Sequence, residues 1–197
     1  MAAPAIEPAL GLLELESIAA GIEVGDAMAK RAPLEVLRAG TVHPGKYLVL
    51  VGGEVADVEE ALDAGRELGG LSVRDTTFQP SIHPHVVDGA RGTRLGAEAE
   101  ALGIIETATV AAIIRAADAG LKGARVRLLE LRLADDLGGK GYLLFGGEVT
   151  DVEAAVEIGV AAVGEARGLH SRVIAQLHDE MAAELAVDAR FAARVRE

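Results

Sequence analysis

LGLLELESIAAGIEVGDAMAK, at Leu10–Lys30, returns as LGIIETATVAAIIRAADAGLK at Leu102–Lys122, and GKYLVLVGGEVADVEEALDAG, at Gly45–Gly65, returns as GKGYLLFGGEVTDVEAAVEIG at Gly139–Gly159. The first pair is offset by 92 residues and the second by 94, so the second copy carries two extra residues just ahead of Gly139. Self-similarity of this length, sharing the string GGEV-x-DVE, marks a tandem duplication in which each copy is one supersecondary unit.

Both copies carry the same local signals. A strand at Leu10–Ser17 or Leu102–Thr109 leads into a helix at Ile18–Arg31 or Val110–Gly123, with apolar residues at three- and four-residue spacing. Two strands follow, Leu34–Thr41 with Lys46–Gly53 and Val126–Ala134 with Gly141–Gly147, each pair separated by a short Gly-containing turn that signals a hairpin. A second helix begins near Val55 and Val149, with Asp57, Glu59 and Glu60 or Asp151 and Glu153 in its first turn, where acids complement the helix dipole. Last strands are expected at Leu71–Phe78 and Leu169–Leu177. The order β-α-β-β-α-β is the ferredoxin-like split βαβ arrangement. The expected class is therefore α+β, two tandem ferredoxin-like domains at 1–92 and 93–197. Gln79–Glu100, rich in Gly, Pro and His, reads as the link, and Asp179–Glu197 as a surface helix or partly frayed tail. One such sheet leaves a face and both edges uncovered, which favours association with further copies.

Half of the 197 residues are hydrophobic but only 3% are aromatic and Trp is absent, so small aliphatic side chains build thin layers rather than an aromatic-walled ligand cavity. The net charge is −12 with both halves acidic, which argues against a nucleic-acid partner. No stretch approaches the ~18 consecutive apolar residues of a membrane span. Met1–Leu10 lacks a basic region ahead of an apolar run, which leaves a cytoplasmic location as the expectation. With no cysteine there is no disulfide, thiolate metal site or Cys nucleophile.

The paired segments resemble the bacterial microcompartment shell domain. GLLELESIAAGIEVGDAMAKRA and GIIETATVAAIIRAADAGLKGA are similar to its opening strand and helix, including a D-A-x-x-K-x-A segment. HPGKYLVLVGGEVADVEEA and LGGKGYLLFGGEVTDVEAA are similar to its pore loop, third strand and second helix. The likeness spans roughly Leu10–Leu177, occurs twice, and keeps the ordinary strand order. Two such domains imply the tandem class, a pseudohexameric homotrimer that tiles with hexameric and pentameric shell proteins in the shell of a cytoplasmic microcompartment and passes small metabolites through a central pore. The likeness is strongest to the type found in propanediol-utilising compartments. In that type a cysteine precedes Pro-Gly-Lys, and three such cysteines ligate an iron–sulfur cluster. Here that residue is His43, so the cluster chemistry does not carry over and no cofactor is expected. Asp135–Asp136 and IAQLH at Ile174–His178, where the family often has Pro-Arg-Pro-His, are further departures.

By this resemblance Val42, His43, Pro44 and Gly45 from one copy and Leu137, Gly138 and Gly139 from the other line the pore. Read from residues alone, they make an ordinary tight turn, and a phosphate cradle is disfavoured because neither Gly-Lys is followed by Ser or Thr. His43 is read as pore-lining without metal. The alternatives are a ligand in a three-histidine set, which suits Zn or Cu, or an incidental loop residue. Lys30 and Lys122, at matching helix ends, are similar to the family's tile-edge lysines; bottom-up they are helix-end cations favourable to the dipole. His83 and His85 have ligand-like spacing but no third ligand nearby. Asp135 and Asp136 would add negative charge at a pore entrance rather than act in acid–base chemistry. Glu14 and Glu106, equivalent in the repeat, read as half-exposed strand positions, with a buried pair as the alternative. The absence of a recognisable catalytic set favours a structural shell protein over a small-molecule-binding enzyme or regulator. A metal- or redox-carrying trimer is the runner-up.

Overall fold

The computed structural model describes residues 9–96, 99–164 and 168–187. The first copy runs β1 (Ala9–Leu15), α1 (Ile18–Arg31), β2 (Val36–Val42), β3 (Lys46–Gly53), α2 (Val55–Gly69) and β4 (Val73–Gln79), and α3 (Pro84–Ala90) follows it. The second runs β5 (Ala101–Thr107), α4 (Val110–Gly123), β6 (Arg127–Leu133), β7 (Gly141–Gly147), α5 (Val149–Val163) and β8 (His170–Ile174), and α6 (Asp179–Ala186) follows that. Each copy folds as one antiparallel four-stranded sheet, in the order β2-β3-β1-β4 or β6-β7-β5-β8. This is the expected split βαβ arrangement. β1 and β5 end sooner than expected because Ser17 and Thr109 leave the ladder to cap α1 and α4. Their hydroxyls accept from the N–H groups of Ala20 and Ala112, each at 3.3 Å.

Every residue of β1 is buried, because the strand is covered on both faces. Leu13 and Leu15 pack with Val49, Val51, Val24, Met28 and Leu62 between sheet and helices of the first copy. Leu10 and Leu12 point the other way, into one cluster with Ile105, Ile113, Ile114 and Phe145 of the second copy. The outer face of the first sheet is thus continuous with the core of the second.

The Gly-, Pro- and His-rich link between the copies contains a helix. Residues Pro84–Ala90 form α3, with Pro at its start and His83 Nδ1 accepting from His85 N–H at 3.3 Å. Ile82 and Val86 are fully covered in the shared core, and Gly89 lies directly against Leu128 and Leu131 of β6. As far as residue 187 the tail is the expected surface helix: α6 buries no residue and is capped by His178 Nδ1, which accepts from Glu180 N–H. The rest of that expected tail, 188–197, lies outside the described residues.

Glu14 corrects a second expectation. Its side chain is 0% exposed. One carboxylate oxygen pairs with Lys46 Nζ at 2.7 Å, and the other accepts the Val110 N–H at the start of α4 at 2.8 Å. A polar residue in a strand was read as half-exposed, but the second copy packs across this face and closes it. Glu106, its equivalent, meets the expectation: it pairs with Lys140 at 2.7 Å with side chains 35% and 55% exposed. The pair therefore gives a matched comparison. Glu14→Ala leaves a buried ammonium and a helix-start N–H without their acceptor and is expected to cost about 3–5 kcal/mol. Glu106→Ala is expected to cost under about 1 kcal/mol. Denaturant unfolding of the two variants checks this difference.

Candidate functional site

The two Gly-rich loops, far apart in sequence, touch in the folded chain. Val42 and Lys46 close the first hairpin, with Gly45 N–H donating to Val42 O at 2.9 Å and Gly45 at φ +108°. His43, Pro44 and Gly45 are exposed at its tip, and the His43–Pro44 peptide is cis. The second loop holds its longer course with a chain of backbone bonds, including Ala134 N–H to Lys140 O at 2.9 Å and Leu137 N–H to Ala134 O at 3.0 Å. Gly138 and Gly139 take φ +64° and +81°, which glycine adopts readily. A Cβ at Gly139 would stand 3.1 Å from both Pro44 Cδ and Lys46 Nζ and 3.2 Å from the His43 carbonyl. Gly139 is buried here while Gly138 stays exposed and Leu137 half-buried.

Lys46 links this loop contact to the buried carboxylate of Glu14. The fold thus brings the two loops that carry the seven residues singled out from the sequence into contact at Gly139. Asp135 and Asp136 lie exposed on the same second loop, Asp136 at φ +62°. Lys30 and Lys122 lie elsewhere and in different surroundings. Lys30 is exposed and pairs with Asp26 at 2.5 Å. Lys122 pairs with Asp118 at 2.7 Å and also donates to the Ser81 carbonyl.

His83 and His85 stack with ring centroids 5.2 Å apart, and His83 is the α3 cap. Among the described residues no group of three His, Asp or Glu side chains of one chain could hold a metal. A thiolate-held cluster does not fit this chain, which has no cysteine.

One polar cluster was not read from the sequence, because its members are distant in the chain. Arg94 Nη2 donates to Glu130 at 3.0 Å and to the Leu185 carbonyl at 2.9 Å, while its Nε is buried without a partner. The Tyr142 phenol donates to Glu130, and Arg132 lies over the Tyr142 ring at 5.9 Å. Arg94, Glu130, Arg132, Asp135 and Asp136 border an open cleft of about 400 Å³ beside the second loop. The one sequence signal was an acid, Glu130, inside an apolar strand.

The BMC domain family model matches residues 9–82 and 101–177. Over 175 residues the chain is 40% identical to the bacterial microcompartment shell protein PduT of Citrobacter freundii, which spans 88% of this chain and 95% of that protein. It is 28% identical over 182 residues to the carboxysome assembly protein CcmO of Synechocystis, covering 85% of this chain and 61% of the relative. A crystal structure of a microcompartment protein from Desulfitobacterium hafniense DCB superposes with a TM-score of 0.75 at 39% identity, covering 88% of this chain and 97% of that one. The fused permuted hexameric shell protein of the RMM microcompartment shares the fold, with a TM-score of 0.57 at 22% identity over 79% of this chain and 83% of that one.

The polar cluster around Glu130 supplies a pH test. Burial, reinforced by the negative charge and hydrogen bond of Glu130, pushes the Tyr142 phenol from 10.0 up to about 12. The folded chain keeps this proton in a window where the unfolded chain releases it. The resulting stability is present below pH 10 and is lost as pH rises toward about 12. Tyr142→Phe is expected to flatten that part of the decline, measured by denaturant unfolding on both sides of the window.

Proposed function

Because this chain belongs to the BMC-domain family and is a PduT-like bacterial microcompartment shell protein, we propose that three copies close into a pseudohexameric homotrimer whose loops frame a central pore for small metabolites. The observation that carries this reading is the contact of the two loops within one chain, at Gly139 against Pro44 and Lys46. The two copies also pack head to tail, the outer face of β1 and β4 against α4. A head-to-tail contact repeats until rotation closes the ring. Repeating the chain's own arrangement would set loops of two kinds alternately around one axis, those bearing Val42, His43, Pro44 and Gly45 between those bearing Leu137, Gly138 and Gly139. Asp135 and Asp136 would place negative charge at one mouth.

His43 would set the polarity of the constriction without metal, through the N–H donor and N acceptor of its imidazole. Such trimers would tile with hexameric and pentameric shell proteins in a cytoplasmic microcompartment, with Lys30 and Lys122 at tile edges. A lysine's apolar stem suits packing along such a seam. Relatives this chain matches over most of its length or over one copy are named as shell proteins, not as enzymes.

Sedimentation should give a trimer, and electron microscopy of concentrated protein should show flat hexagonal sheets; a protein that stays monomeric and dispersed would contradict the reading. The double variant Lys30→Ala/Lys122→Ala is expected to keep the trimer and lose sheet formation, scored by the same microscopy. His43→Ala should fold and assemble as the parent does, with equal metal content by elemental analysis. Metal present in the parent and absent from the variant would make His43 a ligand instead.

A further inference from the structure

The seam between the two copies within one chain is a template for a second seam that the chain leaves open. On the closed side, α4 buries Val110 and Ile114, both 0% exposed. Asp75 on β4 receives the Thr109 hydroxyl at 2.5 Å and both Arg115 Nη groups at 3.2 Å, and Arg115 also donates to the Thr76 carbonyl at 2.6 Å. Asp118 accepts the His83 N–H at 2.8 Å.

The repeat assigns each of these positions an equivalent. Val110 and Ile114 correspond to Ile18 and Ile22 on α1, which are 40% and 57% exposed. Arg115 corresponds to Glu23, and Asp118 to Asp26. Strand register fixes the other side: Asp75 lies opposite Glu14 as His170 lies opposite Glu106, so His170 is the equivalent of Asp75 and Arg172 that of Thr77. The same count makes His178, the cap of α6, the equivalent of His83.

We propose that this open seam receives a second copy of the chain and is charge-coded: β8, through His170 and Arg172, recognises Glu23 on α1 of the next subunit, in the reverse polarity of the Asp75–Arg115 pair inside each chain. The proposal rests on the homotrimer reading and adds the residues that set its order. Each seam is attractive when correctly matched, with an acid on the strand and a base on the helix inside the chain, and a base on the strand and an acid on the helix between chains. Exchanged partners would set Asp75 against Glu23, or His170 and Arg172 against Arg115. Like charges so placed are repulsive, which suppresses wrong registers. His170 serves with or without its proton, since a neutral imidazole still offers one N–H to the Glu23 carboxylate. The exposed Ile18 and Ile22 supply the apolar part of the surface, as Val110 and Ile114 do in the closed seam.

The full chain tests this by charge exchange. Glu23→Arg and His170→Asp, made singly, should each raise the concentration at which the trimer dissociates by at least roughly tenfold. The double variant Glu23→Arg/His170→Asp, which copies the Asp75–Arg115 pair into the open seam, should recover most of that loss. Sedimentation and subunit-exchange rates read the association. Circular dichroism should find each variant folded like the parent, because both side chains are exposed. Single variants that associate like the parent, or a double variant no better than the weaker single one, would overturn the charge code while leaving the trimer intact. A parent that never associates would overturn the trimer and the seam together.

Discussion

A carboxylate with no access to water has to be satisfied at every oxygen, and Glu14 meets that requirement with groups from two distant parts of the chain. Lys46 follows the first Gly-rich loop directly, and the Val110 N–H opens the first helix of the second copy. The single side chain therefore fixes the foot of the loop, the start of α4 and the outer face of β1 in one geometry. The helix contributes the positive end of its dipole as well as its N–H, and the ammonium balances the charge. Displacing any one partner would leave an ion uncompensated in a low-dielectric layer. Beside this constraint the aliphatic packing between the copies is permissive about orientation, since hydrophobic burial is non-directional.

The same residue types behave differently in the two copies because only one copy is covered. Glu14 and Glu106 both hold a lysine at 2.7 Å, yet one pair is sealed and the other open. α1 and α4 have matching sequences and opposite exposure on the matching face. α3 buries Val86 and Gly89, while α6, in the equivalent place, buries no residue. The asymmetry belongs to the environment, not to the local fold.

Much of this was legible beforehand. The repeat gave the architecture, and apolar residues at helical spacing set α1 and α4 at their observed bounds, while Ser17 and Thr109, read as strand ends, are the caps of those helices. The turn residues located both loops. What sequence reading missed depended on a second layer. Glu14 lies in a strand with leucines on both faces, Leu10 and Leu12 on one and Leu13 and Leu15 on the other. A strand apolar on both faces is covered on both, and that signal could have placed Glu14 inside. α3 is a seven-residue helix containing a glycine, too short for periodicity to announce, and it is held by tertiary packing on β6. The Arg94–Glu130–Tyr142 cluster joins residues separated by up to 48 positions in the chain, so no local pattern could expose it.

The segment around α3 carries a kinetic consequence. Because it ties the copies together and is itself seated in their shared core, the closed seam forms as an intramolecular event at an effective concentration on the order of millimolar, whatever the cellular supply of protein. A ring of six separate domains must draw every member from solution. A ring of fused pairs has only half of its joints to close by collision, and it cannot be left with an odd domain missing. In the trimer proposed above, the tether would make assembly less sensitive to dilution and would keep the two loop types at one to one in each ring.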